Sequence, residues 1–263
     1  MLSYNLAARD IIDGISRWEL WIRLGRIEIR RRYRRTVIGP FWTTLSMAIF
    51  ILAVGVVFAN LWKMSLESYL PYLTSGLIAW IFVSTIITES CNVFTSAEGI
   101  LKQFSFPLTT FACLNVWRNL VVFFHNFVIY IVVALIFTVN IGPQTLLFIV
   151  GLAFIVVNGV WLTILIGMLS CRFRDVQPLV SSFLQILMLV TPIFWPPEQV
   201  GNLRYFLVDP NVIYHFVMLI RAPLLGEIPS LLSWVVVMTS TVIGWGFTFY
   251  ILAKYRSRVI YWI

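Results

Sequence analysis

Charge is what this chain has least of. Only 11% of its residues are Asp, Glu, Lys or Arg, against about 25% in an ordinary soluble domain. That scarcity excludes a soluble enzyme surface and a charge-rich disordered chain. Histidine is nearly absent: His125 and His215 stand far apart with no HExxH, so a His-based metal site has no ligand set. Cys91, Cys113 and Cys171 show neither CxxC nor Cys/His spacing. They make neither a disulfide framework nor a zinc site and read as small packing residues. No Gly-Lys pair occurs, which excludes a P-loop of the chain's own. There is no GxSxG and no regular ten-residue alternation, which argues against a hydrolase elbow and a membrane β-barrel. We expect no catalytic residue, no metal and no cofactor in this chain.

What the chain has instead is apolar. Hydrophobic residues make up 60% and aromatics 16%, and mean hydropathy is +0.91. Crossing a bilayer takes about 20 apolar residues. Six runs qualify or nearly so: Phe41 to Leu61, Tyr69 to Thr88, Phe111 to Val139, Leu146 to Ser170, Leu179 to Trp195 and Leu231 to Leu252. The fifth is the shortest and ends near Thr191-Pro192. The expected fold is therefore an all-α integral membrane protein of six transmembrane helices, a single domain over residues 1–263.

Two stretches fall outside that pattern. Residues 1–38 are too polar for a signal peptide, with Asp10, Asp13, Glu19 and Glu28 among many Arg. Ile11, Ile15, Trp18, Ile22 and Ile29 nevertheless form one apolar stripe at helical spacing. This predicts an amphipathic helix lying in the interface. Residues 196–229 hold two short apolar pieces broken by Pro210 and Pro223, which predicts short re-entrant or surface helices between the fifth and sixth spans.

Six spans put both termini on one side. Fifteen of the nineteen Lys and Arg then fall on that side, three (Lys63, Arg204, Arg221) on the other, and Arg118 within a span. The positive-inside bias predicts cytoplasmic termini. It also accounts for the net charge of +8 without a nucleic-acid partner. Trp and Tyr near the span ends read as interfacial belts against membrane lipids.

The third span carries Asn115, Arg118, Asn119, His125 and Asn126 on one helical face, and Glu89 stands near the end of the second span. Intramembrane Arg is costly and seeks a partner. Glu89, Arg118, Asn119 and His125 are thus candidates for a polar lock between helices, with a proton relay or substrate contact as the other reading. The fifth span presents Ser181, Gln185, Met188, Pro192 and Trp195 at steps of three and four. This stripe serves either helix packing or a substrate path. The loops at residues 96–107 and 171–178 are either capped helix ends or knobs that dock a soluble partner.

Several motifs together resemble one family. Arg31-Arg32-Tyr33-Arg34-Arg35-Thr36-Val37-Ile38-Gly39-Pro40-Phe41-Trp42 resembles the segment leading into the first span of ABC-2 type permeases. So do Ala97-Glu98-Gly99-Ile100-Leu101-Lys102, Trp117-Arg118-Asn119, Arg172-Phe173-Arg174-Asp175-Val176 and Thr191-Pro192-Ile193-Phe194-Trp195. The match is best to the branch that exports lipid-linked O-antigen or capsular polysaccharide across the bacterial inner membrane. The resemblance implies a homodimer with two copies of a separate P-loop ATPase that binds ATP and Mg. It implies a polysaccharide path lined by the first and fifth spans, which points to Trp42 and Ser46 beside Ser181, Gln185, Met188, Pro192 and Trp195. It implies periplasmic gate helices within residues 196–229. It also implies ATPase contacts from the N-terminal helix (Arg26, Arg30) and the loop after the second span (Glu98, Lys102, Phe106). Export of teichoic acid or a small amphiphile is the alternative within the class. An ATP-independent channel or secondary transporter, or a membrane transferase using His125, is the alternative outside it.

Overall fold

The computed structural model describes residues 3–32, 34, 39 and 41–263. Residues 33, 35–38 and 40, much of the arginine-rich motif before the first span, lie outside the described residues. Among the described residues every regular element is helical. In lipid a chain must satisfy its own backbone, and helices do so within one segment.

Two helices precede the membrane part: α1 (Tyr4–Ser16) and α2 (Trp18–Arg32). Then come α3 (Phe41–Trp62), α4 (Leu66–Ser90), the short α5 (Glu98–Gln103), α6 (Leu108–Ile136), α7 (Leu147–Arg172) and α8 (Val176–Val190). A 3-10 turn over Pro197–Leu203 leads into α9 (Arg204–Leu207), followed by α10 (Val212–Leu224) and α11 (Leu231–Trp262). Five helices are long and apolar enough to span, at 22 to 32 residues with their leading turns. Even the shortest reaches about 33 Å, enough for the hydrocarbon layer. The last runs to Trp262, ten residues past the expected end, and carries Lys254, Arg256 and Arg258 as a helical extension.

The expected fifth span differs. Its helix covers Val176–Val190, 15 residues, or about 22 Å, and the chain from Thr191 to Trp195 is not helical. The cause is local. Pro192 has no N–H for the helix and disfavours helical geometry at the residue before it. Thr191 accordingly sits at φ −75°, ψ 132°. Beyond it, the segment Gly201–Leu207 and α10 meet at 113°. A sixth crossing is counted only if that bent pair is taken as one span. α10 is no surface helix, because ten of the eleven positions from Tyr214 to Leu224, all but Met218, are buried. The fit is tight: a Cβ on Gly151 of α7 would lie 2.4 Å from the Leu219 carbonyl oxygen.

α4 is the centre of the bundle. It packs against α3, α6, α7, α8 and α10, and Tyr69, Leu73, Leu77, Ala79 and Phe82 are inaccessible or nearly so. α3, α8 and α11 are peripheral. On α8 only Leu184 is fully buried, and an apolar cleft of about 580 Å3, floored by Val83 and Trp161, separates α8 from α11.

The N-terminal segment is two helices broken at Arg17, not one. Its expected stripe is split: Ile11, Ile22 and Ile29 are half-buried, while Ile15 and Trp18 are exposed. The face that α1 buries is Ala7, Asp10 and Gly14. Small residues let the backbones approach. A Cβ on Gly14 would stand 2.5 Å from the Thr109 Cβ of α6. The Ser3 N–H also donates to the Ala253 carbonyl at 2.9 Å, so both chain ends meet at one end of the bundle. That end, rich in Arg, is called the basic end below; the opposite one is the far end.

Candidate functional site

At the basic end, the third long helix, α6, carries a single charged residue, Arg118, inside an otherwise uncharged sequence. Arg118 donates through Nη1 to Glu28 of α2 and through Nη2 to Glu89 of α4 at 2.6 Å. Asn119 Nδ2 donates to the same Glu89 oxygen at 2.8 Å. Asn115 accepts from Arg118 Nη2 at 3.3 Å and from Asn119 at 3.1 Å. Its own Nδ2 donates to Thr163 Oγ1 of α7 at 3.1 Å and to the Ile86 carbonyl at 3.2 Å. One polar network therefore ties α2, α4, α6 and α7 together. Of the four expected lock residues, the structure brings Glu89, Arg118 and Asn119 together. His125 lies two turns further along α6. Its Nδ1 meets the Val121 carbonyl of its own helix at 2.7 Å, and Phe41 sits edge-on to its ring at 5.7 Å. Glu28 was not foreseen as a member.

A second knot lies beside it. Asp10 of α1 is 3% exposed and accepts from the N–H groups of Leu108 and Thr109, each at 3.0 Å, and from Thr109 Oγ1 at 2.8 Å. The first N–H groups of a helix have no partner within it, and the cap position of α6 is Pro107, which makes no side-chain cap. Asp10 supplies the missing cap from another helix. Arg256 of α11 donates through Nε to the same carboxylate at 2.7 Å. The one signal in the sequence was negative: a helix opening at Pro-Leu-Thr without Ser, Thr, Asp or Asn at its cap.

The helix α5 presents a short exposed face. Glu98 and Lys102 pair with each other at 2.6 Å, both about half exposed, while Leu101 anchors the helix. Phe106 is half-buried under the Arg17 guanidinium, 5.4 Å from its ring. Arg26 and Arg30 are exposed on α2. A cavity of about 290 Å3 runs between α2 and α5, lined by Glu28, Glu89, Asn92, Ile100, Asn115 and Arg118 among others. The exposed surfaces of α2 and α5 thus stand around the polar network itself.

The expected path residues fall into two groups. Trp42 and Ser46 are exposed on α3, away from its buried stripe Thr44, Met47, Ile51, Gly55 and Ala59. Ser181, Gln185 and Met188 share one side of α8; Gln185 is exposed and the other two are half-buried. Pro192 and Trp195 do not continue that helical face, because the helix has ended.

They belong to a knot at the far end. The turn's carbonyls are taken by side chains from three helices. Trp62 Nε1 and Tyr69 Oη donate to the Phe194 carbonyl at 2.9 and 2.6 Å. Tyr72 Oη reaches the Pro192 and Trp195 carbonyls at 3.1 and 2.9 Å. Arg221 Nη1 donates to the Pro192 carbonyl at 2.6 Å. Irregular backbone at membrane depth is tolerated where protein satisfies it in this way. Arg221, counted above among the three charges on the side away from the termini, is 1% exposed. Nothing in the one-dimensional pattern marked it.

Comparison with known proteins adds the following. The ABC-2 type transporter family matches residues 19–225. A protein of Myxococcus xanthus named O-antigen export system permease protein RfbA is 25% identical over 187 residues, 70% of each chain. A Klebsiella pneumoniae protein of the same name is 22% identical over 198 residues, 74% of this chain and 75% of the relative.

Proposed function

The chain belongs to the ABC-2 type transporter family, a family of multi-pass membrane transport subunits, and we propose that it is the permease of an ATP-driven exporter of lipid-linked polysaccharide, O-antigen or capsule. The observation that carries the substrate class is the pair of relatives named as O-antigen export permeases, matched over 70% or more of both chains. ATP and Mg would be handled by a separate P-loop ATPase, two copies to a permease homodimer. The absence of a Gly-Lys pair supports that division. The whole chain acts as one transmembrane domain in the bacterial inner membrane. Its Arg-rich end, with both termini, lies in the cytoplasm, and its far end faces outward.

The geometry supports this reading in three ways. The exposed residues Trp42 and Ser46 of α3 and Gln185 of α8 are uncovered in one protomer and can be closed over a conduit by a second. Such a wall mixes flat apolar rings with polar groups, and a glycan presents both C–H faces and hydroxyls, so it can be held weakly and slide. At the cytoplasmic end the exposed faces of α5 and α2 flank the Arg118 network, which reaches α4, α6 and α7. Force applied by an ATPase at α2 therefore has a connected route, through Glu28 and Arg118, into the spanning helices.

Two outcomes test it. In proteoliposomes holding permease and ATPase, single cysteines at Ser181, Gln185 and Met188, with the native three removed, should react with a water-soluble thiol reagent during ATP turnover faster than cysteines at Ser182 and Leu189. Equal labelling of both sets removes α8 from the path. The second concerns coupling. Exchanging Glu98→Lys with Lys102→Glu preserves the i,i+4 pair and so the helix, but reverses the charges offered to a partner. Like-charge contacts across an interface cost several kcal/mol, so substrate-stimulated hydrolysis should fall about tenfold or more while membrane insertion is unchanged. Unaltered hydrolysis excludes α5 as the docking element.

A further inference from the structure

We propose that Arg221 is the pin of the outer gate, holding the broken end of α8 closed through the Pro192 carbonyl, and that its hydrogen bonding is left incomplete so that the closed state opens readily. The proposal rests on the outward orientation given above and adds a residue and a device to it.

Arg221 lies on α10 with its guanidinium carbon 4.0 Å from the centre of the Tyr72 ring. Nη1 holds the Pro192 carbonyl at 2.6 Å. Nε and Nη2 are buried without a hydrogen-bond partner among the described residues. They press on Gly76 of α4, where a Cβ would lie 1.7 Å from Nη2 and 2.8 Å from Nε. Only a glycine leaves room for the guanidinium there. Among the described residues no carboxylate pairs with Arg221. Asp209 is engaged by Arg204 at 3.6 Å. A charge inside the bundle with no ion pair among the described residues marks a functional residue by default.

The arrangement has the energetics of a latch. One charge-assisted bond and one ring contact hold the turn. Two donors on the same guanidinium are unsatisfied as long as the turn stays there, and unsatisfied buried donors oppose the state that buries them. When α8 and its turn withdraw, the Nε and Nη2 edge is freed from Gly76 and meets acceptors in the wet mouth. Closed and open arrangements then differ little in free energy, which a gate driven by a remote ATPase requires. A residue present only for packing makes the opposite demand: an apolar side chain of equal length serves it better.

That difference is measurable without polysaccharide. Ile193, in the same turn, is 0% exposed, so Ile193→Cys in a chain lacking the native cysteines reports the turn's closure. The permease with its ATPase, without ATP, is treated from outside with a membrane-impermeant maleimide. The reporter should stay dark with Arg221 and with Arg221→Lys, which retains a cationic donor. It should label about tenfold faster with Arg221→Met, the ratio expected for one lost charge-assisted bond, while the melting temperature holds or rises. Gly76→Ala, which keeps Arg221 but drives its guanidinium off its seat, should also raise labelling. Unchanged labelling in Arg221→Met overturns the proposal, as does unchanged labelling in Gly76→Ala if the Met variant fails to fold. A reporter already labelled in the parent, or faster labelling only together with a lowered melting temperature in the Met variant, also overturns it. Failure of the chain to move polysaccharide would count against the export reading and leave these measurements untouched.

Discussion

Asp10→Ala should be among the most damaging single substitutions in this protein, costing about 3–5 kcal/mol, the range for removing one member of a buried ion pair. The Asp10 side chain is 0% exposed and that of Arg256 18%. Its loss strands Arg256 in a largely closed site and leaves the N–H groups of Leu108 and Thr109 without an acceptor at the start of α6. No neighbour can take over the cap, since Pro107 makes none. The expected readout is a large fall in melting temperature in detergent, with α1 becoming protease-sensitive. Asp10→Asn keeps an acceptor but loses the charge and should lie between. Adding Arg256→Met to Asp10→Ala should recover part of the loss, because the stranded cation goes with it. Additive losses in the double variant would mean that the two side chains do not interact.

The second large effect is expected at Arg118. Arg118→Leu leaves Glu28 and Glu89 without the cation between them and takes a donor from Asn115. The Glu28 side chain is 42% exposed, so water screens part of the penalty and the stability loss should be about 2 kcal/mol rather than the full buried-pair value. The functional loss should be larger than that. Arg118 is the atom-level link from α2 to α4 and α6, so ATP-coupled transport should fail in protein that still inserts and still binds its ATPase. Adding Glu89→Gln should restore stability but not transport. A variant that transports normally would show that the network is only a clamp.

How much of this was legible beforehand depends on distance along the chain. The pairing of Glu89 with Arg118 and Asn119 was foreseen because an arginine in an apolar helix demands an acid, and few acids stand at the right level. His125 was grouped with them by shared helical face alone; helix face says nothing about depth, and two turns of rise separate it from the pair. The N-terminal stripe places this segment in the interface and gives Glu28 no partner, while the fold turns one side of α2 against α6. Gly25 permits that approach, with a Cβ there falling 2.7 Å from the Trp117 ring. The fifth-span stripe extends one helical face to Trp195 past a loosening at Pro192, whereas the helix ends outright at Val190.

Composition and run length suffice to determine an all-helical membrane protein and the positions of its five long spans, and charge asymmetry is the ground for proposing cytoplasmic termini. Those are properties of segments: bilayer thickness and a 3.6-residue period act on neighbours in sequence. The tertiary structure alone decided which polar groups meet. Asp10 and Leu108 are 98 residues apart, Asp10 and Arg256 are 246 apart, and Arg221 reaches Pro192 across 29. Such partners are chosen by which helices can pack closely, through small residues such as Gly14 and Gly76. In a bundle whose interior offers no water to idle donors, that choice decides whether a buried charge clamps two helices or holds a gate.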